Sequence, residues 1–572
     1  MIKNEILKNL QLILKKMGVK DPDIDLNYPN NPDFGDYSTS VALKLAKILK
    51  EKPFEIAEKI VENFPENSNL KSIKVIKPGF INFWIADKFL VENVKSLLID
   101  KSINFPKYYL GTNKKVMVEF AHPNTHKLFH IGHLRNISTG ESVVRILEAT
   151  GNKVIRSNYE GDVGLHIAKC LYGIKNSPLY QGSDGQVKLK ALTLQKKIEF
   201  IGKMYSAGTK AYEDDPRAKE EILKINKMIY DRDPKIIPLW METRQWSLEY
   251  FNENYKRFYS YFDRLYFESE FYERGVEIVK ESMKKGILEK SQGAVIFNGK
   301  KYGLDIRVFI NSLGFPTYEG KEPALAEQEF SDFGELDKVI HVVTPEQTSF
   351  FKVTFKVEEL IDEKKYKNKQ YHLVYEWVKL KDGKMSSREG NIIEANWLID
   401  EVKKKITEKF KCNEETAETL AVASAKYSFL KNGSQTIIHF DIDESIAVDG
   451  NSAPYLIYTY VRCQSVLNKA DHNSINLQPF DSLIINGDES DVLRLINKFP
   501  EIVQQAAIQL APNLIANYLY ELAQKYNYFY QKNKILESEE KIKQFRLVLT
   551  QAVGKVIKEG LYLMGIKTVE KM

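Results

Sequence analysis

Two histidines three residues apart, His130 and His133, enclose Gly132 at the point where an apolar run, Val116 to Ala121, has ended and helical periodicity begins. The free N–H groups and dipole of a helix N-terminus favour a phosphate, and imidazoles at this spacing share one face of the first turn. Gly132 leaves room for a ligand ring beside the backbone. Taken alone, the pair also matches a metal pair or a chance recurrence. Far downstream stands Lys384-Met385-Ser386-Ser387-Arg388, between Lys379-Leu-Lys-Asp-Gly383 and Glu389-Gly-Asn391. Two cations separated by small hydroxyl residues on a glycine-flanked loop can close over a triphosphate and neutralise charge as it develops. A solvated charged loop is the alternative for that segment taken alone. Both motifs in one chain, in this order, favour nucleotide chemistry.

Periodicity shows which elements must position these residues. Val116-Met-Val-Glu-Phe-Ala121 predicts a buried strand broken by Pro123-Asn124, Ile131 to Ala149 predicts a helix closed by Gly151, and Lys153-Val-Ile-Arg-Ser-Asn-Tyr159 predicts a second strand. Strand, helix, strand is the opening of a parallel nucleotide-binding sheet, whose carboxyl edge gathers ligands. Asn158-Tyr-Glu-Gly-Asp-Val-Gly-Leu-His166 lies at that edge; either Asp162 or His166 touches substrate there, or the segment is a capping turn. Residues from about 186 to 290 predict a mostly helical insertion, in which Phe251, Tyr255, Phe258 and Phe262 form a core stripe and not a base-stacking platform. Runs at Gly293 to Phe297, Val339 to Val343 and Tyr371 to Tyr375 predict that the parallel sheet then resumes, and helices dominate from about residue 394. Upstream, Ile2, Ile6, Leu10, Ile13, Leu14 and Met17 predict a helix capped by Gly18. Helices from about Thr39 to Leu49 and after Pro53, with a strand at Ser72 to Lys77, complete an α+β unit ending near residue 106.

Composition bounds the rest. At about 100 to 200 residues per domain, 572 residues predict three or four domains. A content of 43% hydrophobic and 28% charged residues excludes a wholly disordered or fibrous chain. The net charge of +6 is compatible with a polyanion partner without requiring one. Cys170, Cys412 and Cys463 are too far apart for a Cys-x-x-Cys zinc site or a disulfide framework, so no protein-held metal is expected and a reducing cytoplasm is the expected location. The amphipathic N-terminus, and the lack of any apolar run approaching ~18 residues, argue against secretion and membrane insertion.

The order of the two motifs resembles a class I aminoacyl-tRNA synthetase, and further residues narrow the likeness. Glu119-Phe-Ala-His-Pro-Asn124, Lys127 and His130-Ile-Gly-His-Leu-Arg-Asn136 resemble the arginyl-tRNA synthetase form of this region. So do Gly450-Asn-Ser-Ala-Pro-Tyr-Leu-Ile-Tyr458 to Arg462 and Gly560-Leu-Tyr-Leu-Met-Gly565 to Met572. Gly35-Asp-Tyr-Ser-Thr-Ser-Val-Ala42 and Pro78-Gly-Phe-Ile-Asn82 resemble that family's extra N-terminal domain. The resemblance implies a multidomain α/β protein. Its parts would be an N-terminal α+β domain over 1–106 touching the tRNA elbow, a Rossmann-like parallel-sheet catalytic domain with a helical insertion over 107–440, and a C-terminal α-helical anticodon-binding bundle over 441–572.

It also implies ATP-dependent activation of L-arginine and transfer of the arginyl group to the terminal ribose of tRNA(Arg), with Mg²⁺ accompanying the ATP, in a cytoplasmic enzyme expected to be a monomer. By resemblance His130, Gly132 and His133, with Lys384, Met385, Ser386, Ser387 and Arg388, bind ATP and stabilise its phosphates. Glu119 and Asn124 hold the ammonium and carboxylate end of arginine, Tyr318 and Glu322 the guanidinium, and Gln347 completes the polar wall. Phe80, Asn82, Tyr458, Arg462 and Asn527 contact tRNA, unpaired bases being read by stacking and by hydrogen bonds to their edges. Two positions depart from the family pattern. Glu322 stands where the family usually has aspartate, and Ser387-Arg388 replaces the usual second lysine of the downstream motif, for which Lys127 compensates; a solvated side chain beside a turn is the other reading of Lys127. The alternative functions are a non-catalytic tRNA-binding paralogue and a small-molecule nucleotidyltransferase using the same His-x-Gly-His chemistry.

Overall fold

The computed structural model describes residues 2–29, 31–99, 113–181, 185–381, 393–470, 477, 480 and 483–572. The chain divides into two compact units. One comprises residues 1–102, 462–499 and 521–557. In it β1 (Tyr37–Thr39), β2 (Leu70–Ile76) and β3 (Phe80–Ile85) form an antiparallel sheet in the order β1-β3-β2. The first helix, Ile2–Lys16, buries Ile2, Ile6, Leu10, Ile13 and Leu14, the face its spacing predicts. Buried Asp36 accepts from the Ile85 backbone N–H at 2.7 Å and pairs with Arg494, and Asn93 donates to Asn497 at 2.7 Å. These bonds join the N-terminal segment to Arg494 and Asn497, in the first half of the helix Gly487–Gln509.

The second unit comprises residues 103–461, 500–520 and 558–572. Its centre is a parallel sheet of β4 (Lys115–Glu119), β5 (Lys153–Glu160), β6 (Arg264–Phe267), β10 (Lys338–Val343) and β11 (Gln370–Val374), in the order β11-β10-β4-β5-β6. The chain runs outward from β4 through β5 to β6, then returns to the other side of β4 for β10 and β11. The order therefore reverses between β4 and β10, the place where open α/β sheets hold ligands beyond their carboxyl ends. Met117, Ile155 and Val339 of this sheet pack with Ala326 and Phe330 of the helix Tyr318–Phe333. Each such large apolar side chain contributes about 1.5–3 kcal/mol on full burial.

A separate antiparallel sheet is formed by β7 (Glu289–Ser291), β8 (Ala294–Asn298) and β9 (Ile306–Ile310). The run Gly293 to Phe297 belongs to it as β8, which corrects the expectation that this run rejoins the parallel sheet. A five-residue apolar run carries no mark of its pairing direction, and its partners here are the strands nearest in sequence, which only an antiparallel hairpin connection allows. Of the aromatic stripe, Phe251, Tyr255 and Phe258 are buried as expected. No described helix is long and apolar enough to cross a membrane.

Candidate active site

β4 ends at Glu119, and the loop that follows is built on unusual backbone. Ala121, His122 and His126 have φ of +82°, +50° and +64°, a left-handed region that non-glycine residues seldom occupy. Side-chain oxygens hold this loop by its amides: Ala121 N–H donates to Asn136 Oδ1 at 2.6 Å, His122 N–H to Asn158 Oδ1 at 2.9 Å and His126 N–H to Ser247 Oγ at 3.0 Å. Asn136 also donates to the Val342 carbonyl at 2.7 Å, so one side chain ties the loop to β10.

The helix Ile131–Ala149 starts at the histidine motif, with His130 as its N-cap. Gly132 N–H donates to His130 Nδ1 and His130 N–H donates to His133 Nδ1, both at 3.1 Å, and the two rings stack with centroids 3.7 Å apart. Because each Nδ1 accepts, each neutral ring carries its proton on Nε2, where it can donate to an anion. Burial, with the Lys127 charge, lowers His130 to about 4, and burial with the neighbouring His130 lowers His133 well below the usual imidazole range. The pair therefore offers neutral donors at a positive helix end, not two cations. A Cβ at Gly132 would lie 2.9 Å from His130 Cε1, so a larger residue would push the cap ring aside. Lys127 is within electrostatic reach of this pair; its ammonium lies 5.6 Å from the Tyr205 ring centroid, and burial lowers its pKa.

Beside the histidines, carboxylates converge on the carboxyl edge. Glu119, Glu322 and Glu268, which follows β6 directly, are each at most 5% exposed. Tyr159 of β5 has a buried hydroxyl without a partner, and burial together with the charges of Glu268, Glu322 and Glu119 pushes it well above the usual phenol range. A buried hydroxyl with these carboxylates about it has the chemistry to receive a cation. Asn124 lies against Gly161: a Cβ there would meet Asn124 Oδ1 at 2.1 Å, so any larger residue would push that side chain aside. Burial and the Glu119 charge raise Glu322 well above the usual carboxyl range. Glu119 is held below it, because the His341 imidazole 2.9 Å away outweighs a burial that alone would raise it. Glu268 is 2.6 Å from Lys321 Nζ in a buried pair, and Lys321 lies 4.9 Å from the ring centroid of Tyr318. Tyr318 begins its helix and is 57% exposed. Gln347, exposed, follows β10 as the N-cap of the helix Thr348–Ile361.

Lys384, Met385, Ser386, Ser387 and Arg388 lie outside the described residues. The described residues on either side of them are tied to the histidine motif. Buried Arg135 donates to the carbonyls of Trp377 at 2.9 Å and of Ser434 and Thr436 at 3.0 Å, anchoring β12 (Val378–Leu380) beside its parallel partner β13 (Ile438–Phe440). On the far side, Ile131 N–H donates to the Ile393 carbonyl and Ala395 N–H to the Phe129 carbonyl, both at 2.9 Å.

Asp162 serves the capping role: its carboxylate accepts from Ser269 N–H at 2.9 Å and from Arg244 at 2.8 Å. His166 keeps a buried Nε2 without a partner, and burial lowers it to about 3. In the first unit Phe80 is 37% exposed, whereas Asn82 is 2% exposed and accepts from Ser38 Oγ at 2.7 Å. Asn82 thus braces β1 against β3 from inside. Also there, Arg462 donates to Asn527 Oδ1 at 2.6 Å and lies over the Tyr530 ring at 4.9 Å. Tyr458, in the second unit, is 41% exposed. Sequence reasoning missed Tyr159, Glu268, Lys321 and His341. Their only signal was position, each on or just after a strand or in the first turn of a helix at the carboxyl edge.

Comparison with known proteins identifies the family. Three family models match: the arginyl-tRNA synthetase N-terminal domain over residues 1–85, the class I (R) tRNA synthetase catalytic domain over 93–441 and the DALR anticodon-binding domain over 456–572. The chain is 31% identical over 562 residues to an arginine–tRNA ligase of Fusobacterium nucleatum, covering 96% of this chain and 95% of that one. It is 32% identical over 572 residues to one of Treponema denticola, again covering 96% and 95%. Its fold is similar to the solved arginyl-tRNA synthetase of Thermus thermophilus, with TM-score 0.83 and 22% identity over 100% of both chains. The Plasmodium falciparum structure is similar as well, with TM-score 0.81 and 21% identity over 100% of this chain and 99% of that one. With a catalytic-domain model spanning more than half of its length and relatives aligned almost end to end, the chain belongs to the arginyl-tRNA synthetase family of class I enzymes.

Proposed function

We propose that the protein charges tRNA with arginine in two steps at the reversal point of the parallel sheet. ATP is consumed in the first: an oxygen of the arginine carboxylate attacks the α-phosphorus, and pyrophosphate leaves. The arginyl group then passes to the terminal ribose hydroxyl, and AMP leaves. Such chemistry asks the protein for positioning and charge stabilisation more than for covalent help. Neutral His130 and His133 donate through Nε2 to phosphate oxygens at the helix N-terminus, with Lys127 adding positive charge nearby. Lys384 and Arg388 neutralise the pyrophosphate, and Mg²⁺ arrives with the ATP as part of the substrate.

Arginine lies along the pocket floor. Asn124 and Glu119 take its carboxylate and ammonium end, while Tyr318 packs on the guanidinium and Glu322 pairs with it; Gln347 completes the wall. Glu268 adds a second carboxylate once Lys321 is displaced. The tRNA is held at Phe80 of the N-terminal domain (1–106) and at Tyr458, Arg462 and Asn527 of the C-terminal bundle (441–572), in a cytoplasmic monomer. One observation carries this reading: three buried carboxylates surround an unpartnered buried tyrosine hydroxyl beside a phosphate-ready helix end. It is tested by comparing arginine with citrulline, its neutral isostere, in aminoacylation. Rejection of citrulline by at least about 10⁴-fold in kcat/KM follows from buried polar groups left unpaired. Equal use of both would overturn the pocket.

A further inference from the structure

A row of side chains behind Glu119 takes no part in the steps above. His341 stands in register opposite Glu119 on β10, and its Nδ1 lies 2.9 Å from Glu119 Oε1. Its Nε2 lies 2.9 Å from Gln370 Oε1 on β11, and Gln370 Nε2 donates to Glu358 Oε2 at 2.9 Å. Phe351 and Phe355 pack against the imidazole with centroids at 5.0 and 5.4 Å. The hydrogen bonds fix one another's direction. As placed, Gln370 gives its amide N–H to Glu358 and turns its carbonyl to His341, whose Nε2 then carries a proton. Nδ1 faces a carboxylate oxygen and must carry one too. Meanwhile Glu119 Oε2 is buried without a partner.

We propose that His341 is a positioning residue: as a buried imidazolium it pins one oxygen of Glu119 so that the other remains for the α-ammonium of the amino-acid substrate. This deepens, and rests on, the reading that Glu119 holds that ammonium. Without the pin, Glu119 would be free to rotate and would take up a proton in a site crowded with Glu322, Glu329 and Glu358, all buried. The electrostatics agree: burial lowers His341, but Glu119, Glu329 and Glu322 outweigh it and push it up to about 10. His341 also marks specificity, since an oriented carboxylate discriminates an ammonium from its absence better than a mobile one.

The test uses the full-length enzyme with tRNA present, in wild type, His341→Phe, His341→Gln and Glu119→Gln. The readouts are KM for arginine, kcat, KM for ATP, and inhibition by 5-guanidinopentanoate, which is arginine without its α-ammonium. Partners that orient a ligand from behind are typically worth 10–100-fold. His341→Phe is therefore expected to raise KM for arginine about 10–100-fold while leaving the deamino inhibitor and KM for ATP within about twofold. His341→Gln, which keeps a donor to Glu119, recovers most of the loss. Equal weakening of arginine and its deamino analogue by His341→Phe, with Glu119→Gln selective, overturns the positioning role and leaves the pocket standing. Non-selective loss in Glu119→Gln overturns the ammonium reading and this inference with it. Should His341→Phe fail to fold, the ¹⁵N shifts of the His341 ring at neutral pH decide: a doubly protonated ring supports the proposal, a neutral one refutes it.

Discussion

If Glu322 is the partner of the guanidinium, as proposed, arginine must displace the protonated form that burial favours in the empty site. Burial and the Glu119 charge hold Glu322 well above the usual carboxyl range, whereas the guanidinium it would pair with demands the ionised form. Binding must then expel about one proton. The sign follows from linkage: a ligand whose complex holds fewer protons than the free protein binds more tightly as pH rises. Below the empty-pocket midpoint and above the arginine-bound one, the association constant should rise about tenfold per pH unit, equivalent to about 1.4 kcal/mol. Glu322→Gln keeps the shape, removes the charge and abolishes this slope. Removing one partner of a buried charge pair costs about 2–5 kcal/mol, so the variant's affinity should fall about 30- to 5000-fold at the alkaline end of the window. The gap between variant and wild type should narrow about tenfold for each pH unit below it. Calorimetric titration with arginine, in two buffers of different ionisation enthalpy at each pH, measures the expelled proton directly. Identical heats in both buffers, with a pH-independent affinity in wild type, would refute the reasoning.

Other consequences follow from particular contacts. Because His130 and His133 are neutral in the empty site, with His130 lowered to about 4, kcat/KM for ATP should not fall as pH rises from about 5.5 to 7.5; a decline centred near the ordinary imidazole value of about 6.5 would show that a charged histidine is needed. Gly161→Ala forces Asn124 aside, since the added carbon meets its Oδ1 at 2.1 Å. It should raise KM for arginine about 10- to 100-fold with little change for ATP, as expected when a ligand-holding group loses its support, and an unchanged arginine KM would place Asn124 outside the pocket. Lys321→Met strands Glu268 from its 2.6 Å partner, a loss of about 3–5 kcal/mol that thermal unfolding should report as a melting temperature several degrees lower. If the guanidinium replaces that cation, saturating arginine stabilises the variant more than wild type; equal increments would exclude Glu268 from the guanidinium site.

Much of the site's frame was legible in the sequence because spacing and chemistry agreed there. Val116 to Ala121, the His130 to His133 pair and the helix to Ala149 carry their own signals: apolar run, breaker, cap, periodicity. The strand Arg264–Phe267 carried none, being four residues long with charged neighbours. Gly293 to Phe297 was legible as a strand but not as a member of one sheet rather than another, because pairing direction is settled by connection length and not by composition. The carboxylates were harder still. Glutamate is almost always exposed unless paired, so nothing local distinguishes buried Glu268, Glu329 and Glu358 from the many surface glutamates; only the sheet order brings them beside β4 and β10. Tyr255 illustrates a limit of periodicity: its place in the aromatic stripe correctly predicts burial, but not that its hydroxyl donates to Glu160 at 2.7 Å. Asn82, expected at a tRNA contact, is buried by the β1–β3 pairing that the sequence did not disclose.

The central claim, a cation pocket for arginine beside a phosphate-binding helix end, is tested most directly by ATP–pyrophosphate exchange with each of the twenty amino acids, with and without tRNA. The account predicts exchange that depends on arginine and is at background for lysine and every other amino acid, in at least one of the two conditions. Exchange driven equally by lysine, or none with arginine although ATP and tRNA both bind, would contradict it.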